Sequence, residues 1–360
     1  MNTITKTNFV KNILLLAFML FATVSTFAQE EETEEEAKSK FTFSGSVDAY
    51  YRANLNAGNG TDAQAPGSSF ANLPGFALGM ANVIAGYEGE KVGFVADLVF
   101  GPRGTDAIFA SPMYSATGDI VNQLYVYWNV SPSVKLTFGN FNTFLGYEVI
   151  SPVANFNYST SYLFSYGPFS HTGLKADFAL SDDFSLMLAV MNQTDLTEFN
   201  PTGQYAYGAQ LGYSGQYLNL LVDNGSFEVD YTGGFDLSDS FFLGINAAYF
   251  SGDEEDGIGN FAGVALYPQL ATSDNFTIGL RGEYFAETDG FGAIGTSPDP
   301  NFDGDQSVFA VTLTGSATIG DLIIKPELRL DSASEDVFVN SDGEVMAGLS
   351  SFVLAAVYSF

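Results

Sequence analysis

From Phe41 to the C-terminus the chain alternates at two levels, in its residues and in the lengths of its connections. The first segment shows the residue pattern. Phe41, Phe43, Gly45, Val47, Ala49 and Tyr51 fall on one face, and Thr42, Ser44, Ser46, Asp48, Tyr50 and Arg52 on the other. Period two with one oily side is the signature of a strand. It returns in 76–87, 92–100, 120–130, 134–144, 172–180, 184–190, 205–213, 216–223, 227–237, 241–249, 261–270, 276–286, 307–319, 322–330 and 352–360, sixteen segments in all.

Every second connection is a tight turn built from Gly, Asp, Ser, Asn or Pro, such as Ser131-Pro132-Ser133, Ser238-Asp239-Ser240, Ser273-Asp274-Asn275 and Gly320-Asp321. The others are mostly long, as in 57–75, 101–117, 145–170, 251–259, 287–305 and 331–346. Short turns on one rim and long loops on the other are the pattern of outer-membrane barrels. A β-sandwich also alternates, but it closes with Greek-key links, which consecutive up-and-down hairpins do not offer. A flat sheet of this many strands would leave two raw edges, whereas closure in lipid satisfies every backbone group. The expected fold is therefore an all-β, transmembrane, antiparallel up-and-down barrel of about sixteen strands, with short periplasmic turns and long extracellular loops.

Composition agrees. The chain has 34 Phe, 19 Tyr and 38 Gly but only 15% charged residues, against about 25% in soluble chains. Scarce charge with abundant aromatics suits a sheet with one face in lipid. Lys6 and Lys11, the apolar run 13–24 and the small residues at Thr26 and Ala28 read as a signal peptide over 1–28, cleaved before Gln29. The acidic run 30–36 makes 29–40 a disordered periplasmic tail, and 41–360 a single barrel domain. With no cysteine, disulfides and thiolate chemistry are excluded. A formal charge of −30 excludes nucleic acid as a general partner. The expected location is the bacterial outer membrane, with lipid and the barrel-insertion machinery as partners; a homo-oligomer is left open.

If the apolar face meets lipid, the opposite register lines the interior. It places Arg52, Lys135, Lys175, Arg281, Lys325 and Arg329 inward, with Arg103 at a strand end. Asp48, Asp97, Asp177, Glu228, Asp230, Glu283 and Glu327 share that side. A charge facing lipid at mid-depth costs about 2–4 kcal/mol, which enforces the register. A barrel this wide is expected to keep an aqueous channel, with these charges projecting into water as its filter. They could equally pair across strands and stiffen the wall. The longest connection, 145–170, is polar and aromatic, with Tyr147, Glu148, Asn155, Asn157, Tyr158, Tyr162, Phe164 and Tyr166. It is expected to fold inward and narrow the pore; an outer lid or adhesion loop is the alternative.

Around this loop, residues 139–148 (Gly139 to Glu148), Pro152, Asn155, Tyr158, Ser161 and the run Gly167-Pro168-Phe169-Ser170-His171-Thr172-Gly173 resemble the OmpL-like β-barrel porin family. The match of motifs covers about 35 residues; the barrel pattern covers the rest more loosely. The resemblance implies an outer-membrane porin of open substrate and supplies no catalytic residue.

Other motifs carry less. Asp299, Asn301, Asp303 and Asp305 with Gly304 resemble the start of a Ca²⁺ loop, but Ala310 stands where the bidentate Glu is expected, so at most a loosely bound Ca²⁺ follows. No other cofactor is expected. The one histidine, His171, has Ser170 beside it in sequence, the wrong geometry for a hydrolase relay, so no enzyme is expected. The terminal Phe360 is the expected handle for the insertion machinery. The function expected is passive diffusion of small hydrophilic solutes; the alternatives are a non-conducting scaffold, adhesin or accessory barrel, and a barrel-embedded hydrolase. Because 29–40 lacks an apolar repeat, deleting it should leave heat-modifiable gel migration intact. Loss of barrel assembly in the deletion would make the tail structural.

Overall fold

Two-faced strands in lipid must close on themselves, because an unpaired edge would leave its N–H and C=O groups without partners. The computed structural model describes residues 40–108, 120–253, 255 and 257–360. The expected signal peptide (1–28) and the tail up to Ser39 lie outside the described residues. The first half of the barrel comprises β1 (Lys40–Asn54), β2 (Gly75–Glu88), β3 (Val92–Phe100), β4 (Val121–Ser131), β5 (Val134–Asn142), β6 (Ser170–Ala179), β7 (Phe184–Met191) and β8 (Ala206–Tyr213). The second comprises β9 (Gln216–Asp223), β10 (Ser226–Ser238), β11 (Phe241–Ser251), β12 (Asn260–Ser273), β13 (Phe276–Thr288), β14 (Gln306–Ile319), β15 (Leu322–Ala333) and, after a small hairpin of β16 (Phe338–Val339) and β17 (Val345–Met346), β18 (Gly348–Ser359). Each barrel strand pairs antiparallel with its chain neighbours, and β18 pairs with β1 to close the sixteen-stranded cylinder. Short helices α1 (Pro102–Ala107) and α2 (Tyr162–Tyr166) sit in two of the long connections.

The outer face is apolar throughout, with aromatic pairs at both rims. Phe184–Tyr213 (4.5 Å) and Tyr87–Phe94 (6.4 Å) stand near the short turns. Tyr51–Phe76 (5.0 Å) and Phe227–Tyr249 (5.9 Å) stand near the loops. Such girdles bracket the hydrocarbon band of outer-membrane barrels. One connection on the loop rim is not long. Asn224-Gly225 joins β9 to β10 in two residues, both with positive φ (43° and 94°), as a type I′ hairpin requires.

Pro326 cannot donate to a ladder, and a bulge or weak pairing is expected there. The structure shows weak pairing. The β14–β15 ladder skips from Thr314↔Glu327 to Ala317↔Ile324 without a register shift, while Pro326 still stands opposite Leu354 on β18. Pro268 does the same between β12 and β13, where Leu266↔Gly282 is followed by Gln269↔Gly279.

The seam between the chain's first and last strands is tight. Gly45 N–H donates to Phe360 O (3.1 Å) and Phe360 N–H donates to Gly45 O (3.0 Å). The Phe360 ring lies over Gly45, where a Cβ would come 2.7 Å from the ring and 2.3 Å from Asn82 O. Gly45→Leu should therefore lower the yield of heat-modifiable, refolded barrel sharply. Phe360→Ala keeps both backbone bonds and should lower it less. A wild-type yield for Gly45→Leu would show that closure does not need this close approach.

Candidate functional lumen

Strand β15 shows how the register sorts chemistry. Pro326, Leu328 and Leu330 face outward, while Lys325, Glu327, Arg329 and Asp331 face inward and are all buried. Inward placement follows the sequence pattern, but their surroundings do not. The connection between β5 and β6 folds into the barrel and covers them, so the expectation that Lys325, Glu327 and Arg329 project into open water is corrected.

A loop taken out of water must have its backbone groups bonded by something, and it has no ladder of its own. Here the wall's charged side chains bond them. Lys325 Nζ donates to Pro152 O (2.9 Å) and to Asn155 O. Glu327 accepts from Tyr158 N–H (2.9 Å), Ser159 N–H (3.3 Å) and the Ser159 hydroxyl. Arg281 donates to Ser159 O (2.6 Å) and forms a fully buried ion pair with Glu148 of the loop (2.7 Å). Arg329 reaches Thr160 O and Ser68 Oγ, both at 2.7 Å, and is held by Asp331 on its own strand.

Glu283 accepts from Tyr162 N–H (3.0 Å) and Leu163 N–H (2.9 Å), which are free donors of the first turn of α2. Asp48 accepts from the Tyr158 hydroxyl, and Asp230 accepts from Gly146 N–H (3.0 Å). Arg103 sits in α1, buried, and donates to Ile150 O (2.8 Å) and Tyr158 O (3.2 Å). Charge-assisted bonds of this kind are roughly twice as strong as neutral ones.

The remaining predicted wall charges lie elsewhere. Lys175, in the middle of β6, stays partly exposed, 3.5 Å from Asp177 and over the Phe141 ring (5.3 Å), and Lys135, near the short-turn end, stands over the Tyr127 ring (4.5 Å). Arg52 bonds Asn54 (2.8 Å), and Asp97 accepts from Asn82, Asn122 (2.8 Å) and Gln123 (3.1 Å). Glu228 is buried with no hydrogen bond or ion pair among the described residues.

Within the loop, Tyr147 stacks on Tyr267 (4.3 Å) and Tyr162 lies against Phe285 (5.6 Å). Asn155 accepts from Val149 N–H (2.8 Å), and Asn157 donates to Thr314 Oγ1 (2.7 Å). Phe164 stacks on Phe169 (5.0 Å). The Tyr166 hydroxyl donates to Gly67 O (2.8 Å) and Ala293 O (2.9 Å). Burial pushes the Tyr147 and Tyr166 hydroxyls up to about 12, with the carboxylates of Glu148 and Glu287 adding to it.

The sequence reading missed that the interior is not uniformly polar. Phe261, Phe285, Val308 and Ala310 point inward on the loop-side halves of β12–β14 and pack with Tyr162 and Leu163. The available signal was Phe285, an aromatic residue on the same face as Glu283 and Glu287.

His171 is fully buried between Phe141 and Phe144, and its Nε2 meets the Thr143 hydroxyl at 3.0 Å. In the 289–305 loop, Asp299 Oδ1 accepts from Asn301 N–H (2.8 Å), Asp303 Oδ1 from Asp305 N–H (3.1 Å) and Asp305 Oδ1 from Asp289 N–H (2.9 Å). Among the described residues no group of three or more acidic or histidine side chains is placed to hold a metal ion.

Open space lies on both sides of the inserted loop. A cavity of about 430 Å³ on the short-turn side is lined by Tyr147, Asn155, Phe156, Gln269, Ser316 and Lys325 among others. One of about 710 Å³ on the long-loop side is bounded by 67–72, 165–169, 193–195 and the start of β10. In sequence, Arg103 is the one Lys or Arg in all the long connections.

The sequence matches the family described as "Putative beta-barrel porin-2, OmpL-like" over residues 40–360. No curated protein matches it by sequence. Among solved structures it resembles an anion-selective porin from Comamonas acidovorans, at 12% identity over 90% of this chain and 100% of that one, with a TM-score of 0.55. It also resembles OmpT, an outer membrane protein of Vibrio cholerae in trimer form, at 12% identity over 89% of this chain and 99% of that one, with a TM-score of 0.53. At such identity the likeness is one of fold.

Arg281 is the wall residue whose loss should hurt most. Arg281→Met leaves Glu148, which still accepts from Ser161 N–H (2.7 Å) and the Ser161 hydroxyl, buried without its counter-charge, at a cost of about 3–5 kcal/mol. Denaturant unfolding in detergent should show this loss, and adding Glu148→Gln should recover part of it. Additive losses from the two substitutions would mean that the pair does not couple loop to wall.

Proposed function

The chain belongs to the OmpL-like beta-barrel porin-2 family, and from that membership and the lumen geometry we propose that it passes small hydrophilic solutes by passive diffusion. The carrying observation is the inserted loop, fastened to the wall by Lys325, Glu327, Arg281 and Glu283, with a cavity on either side of it. A wide barrel whose longest loop folds inward has a constriction, and a constriction sets which solutes cross. The route is narrow and runs beside the loop. Assembly of several copies belongs to the same reading, since one protein of this fold is described in a trimer form.

Burial of the lumen charges beneath the loop favours a second reading, a non-conducting scaffold whose interior is structural.

Planar-bilayer recordings of the refolded chain decide between the two. Wild type should conduct weakly, and Lys325→Glu combined with Arg329→Glu should raise conductance, because carboxylates facing carbonyl oxygens release the loop. A selectivity change at unchanged conductance would mean that the loop is not held by these residues. Silence from both proteins would favour the scaffold.

A further inference from the structure

The cavity on the long-loop side has an unusual charge balance. Asp106, Asp195, Asp223 and Glu228 line it, and none of the described residues lining it is Lys, Arg or His. Glu228 marks its inner end, where the cavity meets a small space between the loop and the wall that Asp230 also lines. Its side chain is 5% exposed and has neither hydrogen bond nor counter-charge among the described residues. By contrast Asp230, two residues on, accepts from Gly146, Asn219 and Asn246.

An isolated carboxylate in a desolvated place is costly unless something cationic or donating meets it. Asp223 repeats the deficit, since its Oδ2 accepts from Thr194 N–H (2.7 Å) while its Oδ1 is buried and unpartnered. Burial, with the like charge of Asp223 adding to it, pushes the Asp195 carboxyl in the neighbouring loop up to about 6.

The rest of the lining mixes the rings of Tyr166, Phe169 and Phe250 with Leu221, Ile258 and several Ser, Thr, Asn and Gln residues. Bare metal ions need several carboxylates converging on one point, and no such group of three exists among the described residues. Rings beside unpaired carboxylates suit an ammonium on a carbon stem, because the ring faces attract the cation and the stem buries apolar area. A volume of about 710 Å³ lies within the usual range for small-molecule sites.

We propose that this cavity is a binding vestibule for amine-bearing organic cations arriving from the loop side, with the ammonium group meeting Glu228. The assignment rests on the porin reading for what happens next, but binding itself does not require conduction. The acidic loops around it raise the local concentration of cations and deplete anions.

The test is equilibrium binding to the refolded full chain in detergent at constant ionic strength. Putrescine is the probe, and succinate is the control of similar length and opposite charge. Putrescine should bind and succinate should not. Glu228→Gln keeps the shape and should weaken putrescine binding at least about tenfold, the smaller end of what a charged hydrogen bond contributes. Asp223→Asn, nearer the mouth, provides a second variant should Glu228→Gln fail to fold, and it should weaken binding in the same direction. Equal binding of both probes, no binding to a folded barrel, or unchanged affinity in both folded variants would overturn the assignment. A barrel that conducts but does not bind putrescine sinks this proposal and leaves the porin reading standing. One that binds putrescine but never conducts does the reverse.

Discussion

Hydrocarbon offers no partner to a peptide group, and that constraint organises the whole molecule. The sheet has to close, so the first strand bonds the last from Gly45–Phe360 to Asn54↔Ser351. Once closed, it has one outer surface, and that surface has to be apolar. Every charge on a strand then has one direction left, inward. The alternation of Lys325, Glu327, Arg329 and Asp331 with Pro326, Leu328 and Leu330 is the direct consequence.

The same constraint reappears inside. A loop of more than twenty residues packed into a barrel carries backbone groups that water no longer reaches and that no ladder satisfies. The inward charges answer them. Lysine and arginine take the carbonyls of Pro152, Ser159 and Thr160, and the carboxylates of Glu327 and Glu283 take the N–H groups of Tyr158, Ser159, Tyr162 and Leu163. Acid and base alternate along the wall because the loop presents donors and acceptors in turn. Such charges are structural, and what holds the loop also sets how much of the lumen stays open. Glu228 and Asp223 depart from this rule: both line the long-loop cavity, Glu228 without a hydrogen bond and Asp223 with one oxygen buried and unpartnered among the described residues.

Strand number, inside and outside, and the positions of the tight turns are local properties, and they were legible from residue alternation and turn residues alone. A slip of one residue would put Arg281 or Lys325 in lipid, so the pattern admits a single register. The inward sense of Arg52, Asp48 and Glu283 was legible for the same reason. The burial of these charges, the partnership of Arg281 with Glu148 across 133 positions, and the inward core of Phe261, Phe285 and Val308 were not. Alternation says which way a side chain points and nothing about what waits there. That depends on where the 143–169 segment comes to rest, and its position is decided by bonds to strands far apart in the chain. An aromatic loop is compatible with an outer lid or an inward fold; only the assembled wall, with charged partners for many of the loop's backbone groups, holds it inside the barrel.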